Sequence, residues 1–238
     1  MYYDVNISLD YLKQGIRELE ENEYRGFCVN KVMRPRDLEK IKYEPIELLG
    51  TKPCYSRVEI VFEEKEEVGY DVKKSMRYDL FVVRLNGVSG MDKLIRHQPD
   101  MVTFNYGSQF LPFKSGLVRT AIKENIFFEV PLRESLYGGA SSVTWMRNVR
   151  RLLFITNGKN VVFSSGARCS TEIKKPRDIM KMLEMFGLRK KRASEVMLNS
   201  LRLLRSCAMR RYCHRDSIIH NVDEGALKRD FVLSLYRK

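Results

Sequence analysis

With 238 residues, 44% of them hydrophobic, the chain is sized for one domain plus an extension or two small domains, and it can bury a sizeable core. No apolar run approaches the ~20 residues of a membrane span, and no apolar leader opens the chain, so neither a membrane protein nor a secreted one is expected. The net charge of +13 is one-sided: residues 1–130 carry 20 Lys+Arg against 21 Asp+Glu, whereas residues 131–238 carry 23 against 9. A merely soluble protein needs charge of mixed sign, so the excess points to a polyanion surface, most simply RNA.

In chain order, strand-like segments recur at Tyr2–Ile7, Phe27–Val32, Val58–Phe62, Asp79–Val83, Met101–Phe104, Phe127–Val130 and Val161–Phe163. A helix is predicted over Leu9–Leu19, from Leu9, Leu12, Ile16 and Leu19 on one stripe. Lys31–Ser56, punctuated by Pro35, Pro45, Gly50 and Pro53, reads as a long excursion. The charged stretch Glu63–Lys74 reads as a solvated loop or short helix. A short helix is predicted over Leu117–Ile122 and a longer one over Ser141–Thr156, with Trp145, Val149, Leu152 and Leu153 inward and Arg147, Arg150 and Arg151 elsewhere. After Leu188 and a basic run, Arg189–Arg192, one further helix is expected over Ala193–Arg211. Its apolar side would hold Ala193, Val196, Met197, Leu201, Leu204 and Ala208, and Arg202, Arg205, Arg210 and Arg211 would lie on the others. The tail from Asp216 has no pattern that assigns it.

The βα alternation predicts a parallel sheet with helical crossovers, and seven or more strands favour a closed (β/α) barrel. The expected fold is therefore α/β, an irregular TIM-like barrel over residues 1–190. A basic helical C-terminal extension would follow over 191–238.

The stretch Gly158–Leu188 is the most informative. Val161-Val162-Phe163 is a short buried-strand run between Asn157-Gly158 and Ser164-Ser165-Gly166. Pro176 suits a first helical position, Asp178 suits the positive first turn, and Ile179, Met182, Leu183 and Phe186 form one stripe. Gly187 is placed for a left-handed C-terminal cap.

This segment resembles the thirty-kilodalton protein subunit of ribonuclease P, shared with ribonuclease MRP in eukaryotes. The resemblance lies in Gly158-Lys159-Asn160, Ser164-Ser165-Gly166-Ala167, Lys175-Pro176-Arg177-Asp178 and Phe186-Gly187-Leu188. It continues upstream through Tyr3–Ile7, Tyr78–Val83, Asp100–Phe104, Leu111-Pro112-Phe113-Lys114, Ala121-Ile122 and Phe127–Glu129. The chain departs from the family pattern at Ser115-Gly116-Leu117, Glu124-Asn125 and Ser142-Val143. The resemblance implies a barrel of the polymerase-and-histidinol-phosphatase-like type and an accessory, non-catalytic subunit of a ribonucleoprotein that removes 5′ leaders from precursor tRNA. It also implies binding to ribonuclease P RNA and, by the shared membership, MRP RNA in pre-rRNA processing. A small RRM-like protein subunit and other complex subunits are the implied partners, and the nucleus or nucleolus (the cytoplasm in a cell without a nucleus) the implied location.

Barrel sites lie at the C-terminal ends of strands, and anions bind after late strands. Phosphate is therefore expected at the Ser164–Ala167 loop and the helix N-terminus after it, held by backbone N–H groups with charge from Lys159, Arg168, Lys174, Lys175 and Arg177. The structural alternative is that Ser164 and Ser165 only satisfy a tight turn. Lys114 and Arg119, with Lys123, form a second patch, and Arg147 and Arg150 carry the basic side of the longer helix. Tyr24, Phe104, Tyr106, Phe110 and Phe113 are candidates for base stacking or for the core.

Protein-borne catalysis finds little support. The chain has three histidines, His97, His214 and His220, with no HxH or HExxH, no P-loop and no GxSxG. Asp4, Asp79 and Glu129 are acidic, but strand burial or structural pairing is expected for two of them. The five cysteines are scattered, odd in number and without CxxC, so reduced thiols are expected, and neither a metal nor a cofactor is. The competing functions are a metal-dependent phosphoesterase on the same barrel and a scaffold in ribosome biogenesis.

Overall fold

Seven parallel strands follow one another round a nearly closed barrel: β1 (Tyr3–Ser8), β2 (Gly26–Met33), β3 (Cys54–Phe62), β4 (Leu80–Leu85), β5 (Met101–Phe104), β6 (Phe127–Pro131) and β7 (Val161–Ser164). The computed structural model describes residues 2–8, 10, 21, 23–35, 37, 52–62, 78–214 and 217–218. The seam between β7 and β1 is drawn together by a parallel bridge from Ile7 to Ala167, where the Ser8 N–H donates to the Ala167 carbonyl at 3.0 Å. Strand period 2 sorts the side chains. Val58, Ile60, Phe81, Val83, Val102, Phe104, Phe128 and Val130 join a large core with residues from the surrounding helices. Tyr55, Leu80, Val82, Met101, Phe127 and Val162 join Tyr3, Val5 and Cys28 inside the barrel.

Among the described residues the helices outside the strands are α1 (Met91–Arg96), α2 (Ser115–Lys123), α3 (Arg133–Leu136), α4 (Gly139–Thr156), α5 (Pro176–Met185), α6 (Lys190–Met197) and α7 (Asn199–Tyr212). α4 buries Trp145, Val149, Leu152 and Leu153, the stripe read from the sequence. α5 starts with Pro176 at its first position. Gly187, at φ 97°, then lets the Leu188 N–H donate to the Leu183 carbonyl at 3.1 Å and the Gly187 N–H to that of Glu184 at 2.9 Å. Among the described residues no helix is long and apolar enough to cross a membrane.

The helix expected over Ala193–Arg211 is two helices. α6 ends at Met197 and is capped by Leu198, and α7 begins at Asn199, whose Nδ2 donates to the carbonyls of Gly158 at 3.0 Å and Val161 at 2.8 Å. The break separates two apolar faces with different destinations. Ala193, Val196 and Met197 enter the outer core, whereas Leu203, Leu204, Cys207 and Ala208 close the interior cluster at the barrel's N-terminal end. Arg210 pins the far end of α7 to Asp100, before β5, at 2.6 Å. The expected excursion is shorter at its edges, because β2 runs to Met33 and β3 starts at Cys54. Most of it, the Leu9–Leu19 helix apart from Asp10, the Glu63–Lys74 stretch, His220 and the tail from Asp216 except Ser217 and Ile218 lie outside the described residues.

Candidate nucleic-acid interface

The upper barrel interior is charged. Arg57 on β3 is fully buried, and its guanidinium binds Glu129 on β6 through two bonds, Nη1 to Oε1 at 2.7 Å and Nη2 to Oε2 at 2.6 Å. Nη1 also donates to the Val5 carbonyl and Nη2 to Glu59 Oε2, each at 2.7 Å. Glu129 Oε1 accepts further bonds from Asn6 Nδ2 at 2.8 Å and Ser164 Oγ at 2.7 Å. Glu59 takes Asn30 Nδ2 at 2.8 Å and an ion pair with Arg84 Nε at 2.6 Å. Burial alone would raise the pKa of Glu59, but Arg57 and Arg84 hold it below the usual carboxylate range. Burial likewise disfavours the charged form of Arg57, and Glu129 and Glu59 overcome it. Asp4 is the exception: burial pushes its carboxyl up to about 6, although the N–H groups of Asn6 and Ser165 donate to it.

A guanidinium thus occupies the barrel centre, and Glu59 and Glu129 are both committed to it. Among the described residues no group of three or more His, Cys, Asp or Glu is arranged to hold a metal ion. Sequence reading passed over Arg57, Glu59 and Arg84. The available signal was the pair Arg57 and Glu59, two apart in a run of Val58, Ile60, Val61 and Phe62: period 2 sends both charges inward.

The loop after β7 is organised by the protein itself. Ser165 N–H donates to Asp4, Ala167 N–H to Ser165 Oγ at 3.2 Å and Arg168 N–H to Glu172 Oε2 at 2.7 Å. Ser164 Oγ is turned inward to Glu129. Of the backbone donors expected to cradle phosphate at Ser164–Ala167, the Ser165 and Ala167 N–H groups are thus already paired within the protein. At the α5 N-terminus, Asp178 and Ile179 N–H groups bond to the Lys175 carbonyl. Arg168, Lys175 and Arg177 are exposed, and Lys174 is half-buried, near the C-terminal mouth of the barrel. Lys159 does not join them. It lies in the turn before β7, and the strand's four residues place it ~13 Å away at the opposite end.

A second group forms on α4. Asn148, fully buried, accepts the Leu111 N–H at 2.9 Å and donates to the carbonyls of Tyr106 at 2.8 Å and Gln109 at 2.7 Å. This fixes the loop that displays Phe110, which is 41% exposed. Arg147 lies over the Phe110 ring at 4.6 Å and Arg151 at 5.5 Å. Of the five candidate stacking aromatics only Phe110 is exposed; Tyr24, Phe104, Tyr106 and Phe113 are buried. Lys114 is the exposed residue preceding α2, next to Phe113, whose carbonyl accepts from Arg151 at 3.4 Å. Arg119 and Lys123 are exposed on α2, and Arg150 is exposed on α4 beside Val143, Met146 and Phe154. Arg151 belongs with Arg147 by its helical spacing of four.

A model of the family described as RNase P subunit p30 matches residues 1–212. The Dictyostelium discoideum ribonuclease P protein subunit drpp30 is 28% identical over 182 residues, 69% of this chain and 47% of that protein. The Saccharomyces cerevisiae ribonuclease P/MRP protein subunit RPP1 is 24% identical over 201 residues, 82% of this chain and 67% of that one. The Arabidopsis thaliana protein GAMETOPHYTE DEFECTIVE 1 is 24% identical over 144 residues, 59% of this chain and 25% of its own length. The chain thus spans a quarter to two thirds of the length of these relatives. A chain from a cryo-EM structure of archaeal ribonuclease P with mature tRNA shares the fold, with a TM-score of 0.71 at 18% identity over 93% of this chain and 99% of that one. The barrel agrees with that likeness, and the family match runs without a break from β1 to the helix that plugs the barrel: the chain belongs to the RNase P subunit p30 family.

Proposed function

We propose that the chain is an RNA-binding, non-catalytic protein subunit of ribonuclease P, the ribonucleoprotein that removes 5′ leaders from precursor tRNA, and that it serves ribonuclease MRP where that enzyme exists. The observation that carries RNA binding is the outer face of α4. Arg147, Arg150 and Arg151 stand exposed there, with no carboxylate within ion-pair distance among the described residues, and two of them stack on an exposed aromatic ring. Such a face offers charge to phosphate and a π surface to an unpaired base. Lys114 and Arg119 on one side and Arg168, Lys174, Lys175 and Arg177 at the barrel mouth extend the basic surface; Lys159 serves at the other end.

The non-catalytic reading is supported by the barrel centre. Arg57 engages both Glu59 and Glu129, the acids at the barrel centre, so neither is free to hold a metal ion there. The net-neutral first half suits a protein partner, and a small RRM-like subunit is the partner proposed; the nucleus, with its nucleolus, is the proposed location. The test is to cross-link the chain in extract of its own cells and sequence the attached RNA. Ribonuclease P RNA should dominate, with MRP RNA beside it if both complexes share the subunit. Recovery of the chain with partner proteins but no RNA would leave it a scaffold and end this reading.

A further inference from the structure

The barrel's C-terminal mouth opens into a cavity of about 600 Å³, within the range of sites for small ligands. Four cations from four places in the sheet converge on it: Lys31 on β2, Arg84 on β4, Arg133 after β6 and Arg168 after β7. We propose that this cavity binds a phosphate monoester, either the 5′-terminal phosphate of an RNA strand or a free mononucleotide. The first source rests on the RNA-binding reading; the second does not.

Two of the cations are held in place. Arg84 is fixed by Glu59 at 2.6 Å, and Arg133 by Glu172, at 3.1 Å from Nε to Oε1. Glu172 also receives the Arg168 N–H and the Tyr137 hydroxyl, so one buried carboxylate sets the rim from both sides. The side chains of Lys31 and Arg168 have no carboxylate partner among the described residues, which leaves two positive charges for a ligand. Two acids also line the cavity. Asp10 is exposed at the rim, whereas Glu134 accepts the Gly107 N–H at 2.9 Å, and burial raises its pKa. Asn30 lines the floor and is 9% exposed. Its Nδ2 donates to Asn6 and Glu59, while its buried Oδ1 has no donor among the described residues. A ribose hydroxyl would supply one.

Behind Asn6, which lines the cavity and donates to Glu129 at 2.8 Å, the Arg57–Glu129 pair is fully buried. With a buried layer behind it, the cavity suits a chain end or a single nucleotide better than a strand passing through. A monoester, with a charge near −2 above its second pKa of ~6, matches the two unpaired cations better than a diester, with a charge of about −1, does.

The full chain is titrated with 5′-phosphorylated triuridylate, the same trinucleotide with a 5′-hydroxyl, and uridine 5′-monophosphate. The phosphorylated trinucleotide should bind about tenfold more tightly than the hydroxyl form, as one to two charge-assisted bonds provide. Lys31→Ala with Arg168→Ala should bring that ratio to about one, in a protein whose thermal melt matches the parent's. Uridine 5′-monophosphate binding as tightly as the phosphorylated trinucleotide assigns the cavity to free mononucleotides, and weaker binding assigns it to RNA ends. Equal affinity for the two trinucleotides, no binding of either phosphorylated probe, or a ratio that survives the double substitution overturns the proposal. Failure of the RNA-binding reading would instead appear as no binding to ribonuclease P RNA, whatever the trinucleotide ratio.

Discussion

Arg57 reaches four oxygens: the Val5 carbonyl, both oxygens of Glu129 and one of Glu59. Removing it leaves Glu129 buried without a counter-ion and Glu59 with Arg84 alone, so Arg57→Met should destabilise the chain by about 3–5 kcal/mol in urea unfolding. A loss under about 1 kcal/mol would mean that the carboxylates do not depend on it. Asp4 is governed by burial in the other direction. With a folded pKa of about 6 against an ordinary value of 3.8, it binds a proton more readily folded than unfolded. Its contribution therefore favours folding below about pH 4 and is lost as pH rises through 6. Asp4→Asn keeps an acceptor for the Asn6 and Ser165 N–H groups and removes the titration. The stability difference, variant minus parent, should grow by something on the order of 3 kcal/mol between pH 4 and 6 and then level off. A difference that stays flat across this window would contradict the assignment.

At the scale of elements, α6 and α7 do more than carry charge. Leu203, Leu204, Cys207 and Ala208 complete the interior cluster, and Asn199 ties the helix to the turn before β7. A chain cut after Leu188 should lose cooperative thermal unfolding, because Tyr3, Tyr55, Leu80 and Phe127 would open to water at the barrel's N-terminal end. A sharp melt near that of the full chain would show that the barrel closes without the helices. The seven strands, α4 and the Pro176–Gly187 helix with its cap were legible because each rests on local period, proline or glycine. The split at Leu198 was not: Ala193, Val196 and Leu204 fit one continuous stripe, and only the packing of two separate layers divides them. α1 and α3, of 6 and 4 residues, are too short for a period to register.

Over the whole molecule, the basic residues described between 131 and 212 lie on three sides. Arg168, Lys174, Lys175 and Arg177 stand at the barrel mouth; Arg147, Arg150 and Arg151 line α4; Lys159 and the α6–α7 helices lie at the other end. The charge imbalance was visible in the sequence, but its distribution was not, because β7 carries the chain from one end of the barrel to the other between Lys159 and Arg168. Nor was the separation of interior from surface charge: Arg57, Glu59 and Glu129 count toward the net charge yet never meet solvent. The most direct measurement is the salt dependence of binding between the chain and ribonuclease P RNA, compared with a variant carrying Arg147→Gln, Arg150→Gln and Arg151→Gln. The affinity should fall linearly with salt on logarithmic axes, and the variant's slope should be shallower by ~0.7–0.9 for each phosphate that the three arginines neutralise. An affinity and slope unchanged by the three substitutions would take RNA off the α4 face and contradict the account.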